Sequence, residues 1–230
     1  MNTYLIKQIN TTQQKMGAYI SLLDFRYRNL CVKAEPASLL PVTVETGGGE
    51  LNLEEVASVA IPDDYQIAVI PNIQNYLSTI MRAIFDAHPE FKLEVKDLNE
   101  DEEKKDDEEP EKYLLYTMPE VDKDRRDFLN NGVKGLHKEC KIRIDAEYAA
   151  GQTRFIEAQP YSSEKEMKEA ADDLKDILDE CKDKADEMLQ LKLEEIEEAY
   201  QRYLEKQAEE AEAYPGFDVT QSMRISSDDV

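Results

Sequence analysis

The sequence predicts an α+β protein in which a long three-helix bundle carries an inserted small β-rich α/β module. Three observations predict it. Apolar residues recur every three or four positions over residues 3–31, 120–158 and 163–211. Residues 36–118 switch instead to short β-branched runs punctuated by glycine and proline. Three amphipathic helices bury their seams best against one another, which leaves the intervening segment to fold as its own unit. The expected organisation is a bundle from 1–33 and 119–212, a module over 34–118, and a tail over 213–230.

Each element follows from its residues. Met16, Tyr19, Ile20, Leu23, Tyr27 and Leu30 form the apolar stripe of the first helix, which stops near Glu35-Pro36. The module opens with Val42-Thr43-Val44 and a Gly47-Gly48-Gly49 turn. The runs 56–61, 66–70, 91–95 and 113–117 read as strands, and residues 74–86 as an amphipathic helix through Leu77, Ile80, Met81, Ile84 and Phe85. Between the last two strands, Asp97 to Lys112 holds ten acids and three lysines, which reads as a solvated hairpin loop. Leu129, Val133, Leu136, Cys140 and Ile144 define the second bundle helix, and Pro160 interrupts it. Ser162 or Ser163 can cap the third, with Glu166 supplying a capping-box acid three residues after Ser163. Met167, Ala171, Leu174, Leu178, Cys181, Ala185 and Met188 then alternate four and three, a heptad seam. It continues through Leu189, Leu193, Ile196, Tyr200 and Tyr203 until Tyr214-Pro215-Gly216 ends the helix.

Composition narrows the function classes. The 230 residues include 51 Asp+Glu against 28 Lys+Arg, a formal net charge of −23. A field this negative repels polyanions, so only a local basic patch could hold one. No apolar run is long enough to span a membrane, and the first residues do not start a signal peptide, so a cytoplasmic protein with no membrane partner is expected. Cys31, Cys140 and Cys181 are odd in number and widely spaced, which points to buried free thiols in helices rather than disulfides or a metal site. Gly47-Gly48-Gly49 is not followed by a helix bearing Lys-Ser/Thr, which argues against a phosphate loop. No catalytic constellation appears, so neither enzyme activity nor a cofactor is expected. His137 and Cys140 lack an orienting acid, and His88 and His137 are expected to face solvent. Tyr4, Tyr19, Tyr27, Tyr148, Tyr200 and Tyr203 are expected at the rim of the bundle core with wet hydroxyls.

Lys134, Lys138 and Lys141 fall on one face of the second helix at spacings of four and three. They suit either phosphate contact or a solvated, charge-balanced face. Arg125 and Arg126, in the first turn, suit phosphate contact or pairing with Asp122 and the acidic last helix. The acidic run 97–111 and Glu194, Glu195, Glu197 and Glu198 suit a basic partner or a solvated surface.

Several short stretches resemble the ribosome recycling factor family, in order and over about residues 13–204. Ala37-Ser38-Leu39-Leu40 is similar to the family's Ala-Ser-Pro-Ser-Leu-Leu, and Val56-Ala57-Ser58-Val59 to its Leu-Ala-Ser-Val strand. Residues 119–126, Pro-Glu-Val-Asp-Lys-Asp-Arg-Arg, resemble Pro-Pro-Leu-Thr-Glu-Glu-Arg-Arg. Val133-Lys134-Gly135 stands where the family has Val-Arg-Gly, and Ser163-Glu164 and Asp172-Asp173-Leu174 fall at its spacing in the last helix. The resemblance implies a two-domain L-shape and a factor without covalent chemistry. Such a factor binds the large ribosomal subunit after termination and, with elongation factor G, splits the ribosome.

The departures sit on the second bundle helix. Where the family has Arg-Asn-Val-Arg-Arg-Asp, this chain has Asp145-Ala146-Glu147-Tyr148-Ala149-Ala150. Lys134 and Lys141 replace arginines and keep the charge without the bidentate grip on phosphate. Asp145 and Glu147 are expected to repel phosphate. Lys134, Lys138, Lys141 and Arg143, with Arg125 and Arg126, remain as a reduced rRNA-binding set. Two readings follow: a recycling factor with a smaller basic patch, or an acidic interaction module on the same scaffold that binds a basic protein partner.

Overall fold

The computed structural model describes residues 2–39, 41–98 and 111–213. Three helices build the bundle: α1 (Thr3–Arg28), α4 (Lys123–Ala158) and α5 (Glu164–Ala213). Asn2 caps α1 and Asp122 caps α4, each side chain accepting a hydrogen bond from a first-turn backbone N–H. At the start of α5 the capping box forms as expected. The Glu166 N–H donates to Ser163 Oγ at 3.3 Å, and the Ser163 N–H donates back to Glu166 Oε2 at 3.1 Å. With 50 residues, α5 runs about 75 Å.

The bundle core is one long seam. Met16, Ile20, Leu23 and Tyr27 meet Leu129, Val133, Cys140 and Ile144, and Leu178, Ala185, Ile196 and Ala199 close the third side. At the far end Leu5, Ile9, Phe155, Ala158, Ala170 and Leu174 continue it. Ala170, not Ala171, occupies the seam of α5; Ala171 is exposed. The shift lets Ala170 and Leu174 lie one helical turn apart on one side.

The module contains a two-stranded hairpin, β1 (Thr43–Thr46) and β2 (Gly49–Asn52). A four-stranded antiparallel sheet follows, β3 (Ala57–Asp63), β4 (Gln66–Pro71), β5 (Lys92–Asp97) and β6 (Lys112–Thr117), in the order β3-β4-β6-β5. A one-turn helix α2 (Leu53–Val56) precedes β3, so Val56 ends a helix instead of starting the strand. The helix α3 (Leu77–Ala87) buries Ile80 and Ile84 over a core that includes Val44, Ile67, Val69, Leu114 and Tyr116. The first hairpin turns at Gly47-Gly48, and Gly49 has φ +127, a conformation that side chains with a Cβ rarely adopt. Asp97 pairs with Lys112, and the Leu98 N–H donates to Glu111 O at 2.7 Å, so β5 and β6 form a hairpin. The acidic loop that joins them lies mostly outside the described residues, as does the tail beyond Ala213.

Two segments connect module and bundle, and the β3–β4 turn ties both. The Ala34 N–H donates to Asp64 O at 2.7 Å, and the Met118 N–H donates to Tyr65 O at 2.8 Å. Cys31 lies in the first connection, past the end of α1, and not in a helix. All three cysteines are free. Burial pushes each thiol above its ordinary value, so each stays protonated and inert at neutral pH.

The histidine expectation is overturned. His88 is 5% exposed, stacks on Phe91 with centroids 4.6 Å apart, and donates from Nε2 to Ser38 O at 3.0 Å. His137 keeps 13% of its side chain exposed and donates to Asp186 Oδ1 at 2.6 Å. Their partners, a loop carbonyl and an acid on another helix, are remote in sequence, so local spacing alone points both rings to solvent. Tyr27 departs similarly: its hydroxyl is buried and donates to Val133 O at 3.2 Å. Among the described residues no helix is long and apolar enough to cross a membrane.

Candidate nucleic-acid interface

Helical periodicity brings Lys134, Lys138 and Lys141 to one side of α4, but their surroundings differ. Lys134 and Lys138 are exposed and have no ion-pair partner among the described residues. Lys141 is committed: its Nζ lies 2.9 Å from both carboxylate oxygens of Asp186 on α5. The Lys141 hydrogen bond, and then that of His137, holds the Asp186 carboxyl below its ordinary value.

The arginines are committed too. Arg143 donates to Glu139 Oε1 from Nη2 at 2.6 Å and from Nε at 3.0 Å, with its guanidinium carbon 5.9 Å from the Tyr19 ring centroid. Arg26 reaches the other Glu139 oxygen at 2.7 Å. Arg126 donates to Glu197 at 2.7 Å and lies 4.8 Å over the Tyr200 ring. This is the pairing with the last helix that the sequence allowed. Arg125 donates from Nη2 to Cys31 O at 3.0 Å, so it fastens α4 to the first connection to the module.

The acids on α4 are also internal. Asp145 pairs with Lys182 of α5 at 2.6 Å. Glu147 is only 8% exposed and accepts from Arg154 at 2.6 Å, with Lys15 at 3.3 Å. Arg154 also donates to Thr12 Oγ1 at 2.8 Å. The expectation that Glu147 repels phosphate is corrected, because its carboxylate is buried against two cations. Asp145 is paired with Lys182 but keeps its side chain 54% exposed.

The ribosome recycling factor family model matches residues 27–196, well over half of the chain. The chain belongs to the ribosome recycling factor family. It is 29% identical over 188 residues to the ribosome-recycling factor of Thermus thermophilus, spanning 80% of this chain and 94% of the relative. It is 26% identical over 198 residues to that of Salinibacter ruber, spanning 82% and 94%. A solution structure of the ribosome recycling factor superposes with a TM-score of 0.66 over 86% of this chain and all of the other, at 18% identity, which shows the shared fold. The T. thermophilus ribosome recycling factor, in models with E. coli elongation factor G bound to the E. coli post-termination complex, gives a TM-score of 0.54. It is 26% identical and covers 84% of this chain and 98% of that one.

Within this family scaffold, α4 ties several of its charges to the neighbouring helices. Asp145 stands where the resemblance placed an arginine and meets Lys182; Lys141 stands where it placed another and meets Asp186. Glu147 stands at the valine position, on the buried side of α4, which explains why an acid there needs two cations. The sequence concealed these partners because Lys182, Asp186 and Glu197 look like ordinary members of a charged helix. Their spacing, with 182 and 186 one turn apart, was the only available signal. Among the described residues no group of histidine, cysteine and carboxylate side chains could hold a metal ion.

Proposed function

We propose that the chain is a ribosome recycling factor that binds the large ribosomal subunit after termination and assists its splitting with elongation factor G, in the cytoplasm and without covalent chemistry. Family membership supports the ribosome as partner, and one observation carries the contact. On a helix where Arg126, Lys141 and Arg143 are each held by a carboxylate, Lys134 and Lys138 stay exposed with no ion-pair partner among the described residues. Unlike Arg126, Lys141 and Arg143, these two can meet rRNA phosphate without breaking an ion pair of the fold. Lys141, Arg143, Arg125 and Arg126 contribute by shaping the bundle surface and its junction with the module.

The test is cosedimentation with ribosomes above about 0.1 M salt, where contact-range charge dominates. Two neutralised phosphates predict a log–log slope of about −1.8. Lys134→Glu with Lys138→Glu should abolish binding, whereas Lys141→Ala should weaken it less. Binding that ignores the double reversal would overturn this assignment. No binding at any salt would favour an acidic module that engages a basic protein.

A further inference from the structure

Past residue 196, where the family match ends, α5 continues for nearly five more turns to Ala213. Ile196 and Ala199 are fully buried, so this continuation is rooted in the bundle. Its first exposed cations, Arg202 and Lys206, are one turn apart and leave the bundle altogether. Arg202 Nη1 pairs with Asp64 Oδ2 at 3.1 Å, and Lys206 Nζ pairs with Glu120 Oε1. Asp64 belongs to the β3–β4 turn, the same turn whose carbonyls fasten Ala34 and Met118 in the two connections. Glu120 lies in the second connection, between β6 and α4.

We propose that the continuation of α5 is an electrostatic strap that fixes the module against the bundle, with Arg202 and Lys206 as its two contacts. Geometry supports it: a rigid helix anchored in one domain presents two cations, one turn apart, to carboxylates on the turn and the connection that set the other domain's position. Charge balance supports it too. The facing surface carries Asp63, Asp64 and Glu120, and the continuation itself carries Glu205, Glu209, Glu210 and Glu212. Without Arg202 and Lys206, acid would face acid, so these two side chains decide whether this junction attracts or repels. Both pairs are solvent-accessible, so ionic strength tunes the strap.

The experiment measures the distance between domains in the full chain by pulsed electron paramagnetic resonance. Spin labels are placed at Glu50→Cys on the module and Asp173→Cys on α5, both exposed positions, with Cys181→Ser to remove the most accessible native thiol. The expected result is a single narrow distance distribution in moderate salt. Arg202→Glu with Lys206→Glu should broaden it at least about twofold, as should about 1 M salt on the unreversed protein. Adding Asp64→Lys and Glu120→Lys to the double reversal should restore the narrow distribution. Circular dichroism confirms that each variant keeps its helices. A distribution unchanged by the double reversal overturns the strap, and so does a broadened one that the swapped charges fail to narrow. Neither result bears on ribosome binding, which is read separately.

Discussion

Gly151 of α4 faces both Thr12 of α1 and Leu174 of α5. A Cβ built there would lie 3.0 Å from Thr12 Oγ1, 3.2 Å from Thr12 Cγ2 and 3.1 Å from Leu174 Cδ2. Thr12 cannot easily retreat, because its hydroxyl accepts from Arg154, which in turn holds the buried Glu147. Gly135 lies on the same helix with nothing within 4 Å of the same Cβ. Helix propensity favours alanine over glycine at both positions by about 1 kcal/mol. At Gly151, overpacking costs about 1–3 kcal/mol, so Gly151→Ala should lower stability by about 1 kcal/mol net. Gly135→Ala should raise it by about 0.5–1 kcal/mol. Urea titration of both variants separates the two. Equal gains would mean that the three-helix contact at Gly151 is looser than described. Neither glycine's role was legible in the sequence, where both interrupt an otherwise helical pattern. Only the neighbour brought by the fold, Thr12, tells them apart.

Between α4 and α5 the bundle is laced by a cross-helix ladder: Arg126 with Glu197, His137 and Lys141 with Asp186, and Asp145 with Lys182. Most elements were legible, though the strand β2 and the one-turn helix α2 were too short to leave a periodic pattern. Apolar spacing of three and four gave the bundle helices, β-branched runs gave the strands, and Ser163 with Glu166 gave the start of α5. The ladder was not, because a charge's partner on another helix depends on the relative rotation of the two helices, which a single periodic pattern does not determine. For the same reason the sequence placed Lys141 in a free patch and Asp145 against phosphate. The ladder makes a signed prediction. Hydrogen bonds from Lys141 and then His137 hold Asp186 below the ordinary carboxylate value. Depressed folded values mean stability that is present above about pH 4 and lost as pH falls through the folded value. The stability difference between wild type and Asp186→Asn should therefore be positive at neutral pH and shrink below about pH 4. Glu139 and Glu197 shift the same way, so acid should loosen several exposed ties together. A wild-type advantage that persists unchanged to strong acid would show that Asp186 is not held as an ion.

At the scale of the whole molecule, two electrostatic ranges oppose one another. The net charge of −23 acts over the Debye length, about 30 Å at 0.01 M salt and about 8 Å near 0.15 M. At contact distance the exposed Lys134 and Lys138, on the proposed rRNA contact, supply the attraction to phosphate. In dilute buffer a ribosome therefore meets the repulsive field of the entire chain before it meets the two lysines. Added salt shortens the reach of that field first, because its source is spread over the surface, and only later screens the lysines in contact. The association rate with ribosomes should thus rise with salt, peak near about 0.1 M, and then fall. A recycling factor with a net basic surface would show only the falling limb, as steering by opposite charge always weakens with salt. Stopped-flow measurement of a labelled chain across a salt series reads this directly. Lys134→Ala alone, which halves the local attraction and spares Lys138, should make the falling limb shallower. A rate that falls monotonically from the lowest salt would mean that the local patch governs the approach at long range, against the charge carried by the rest of the chain.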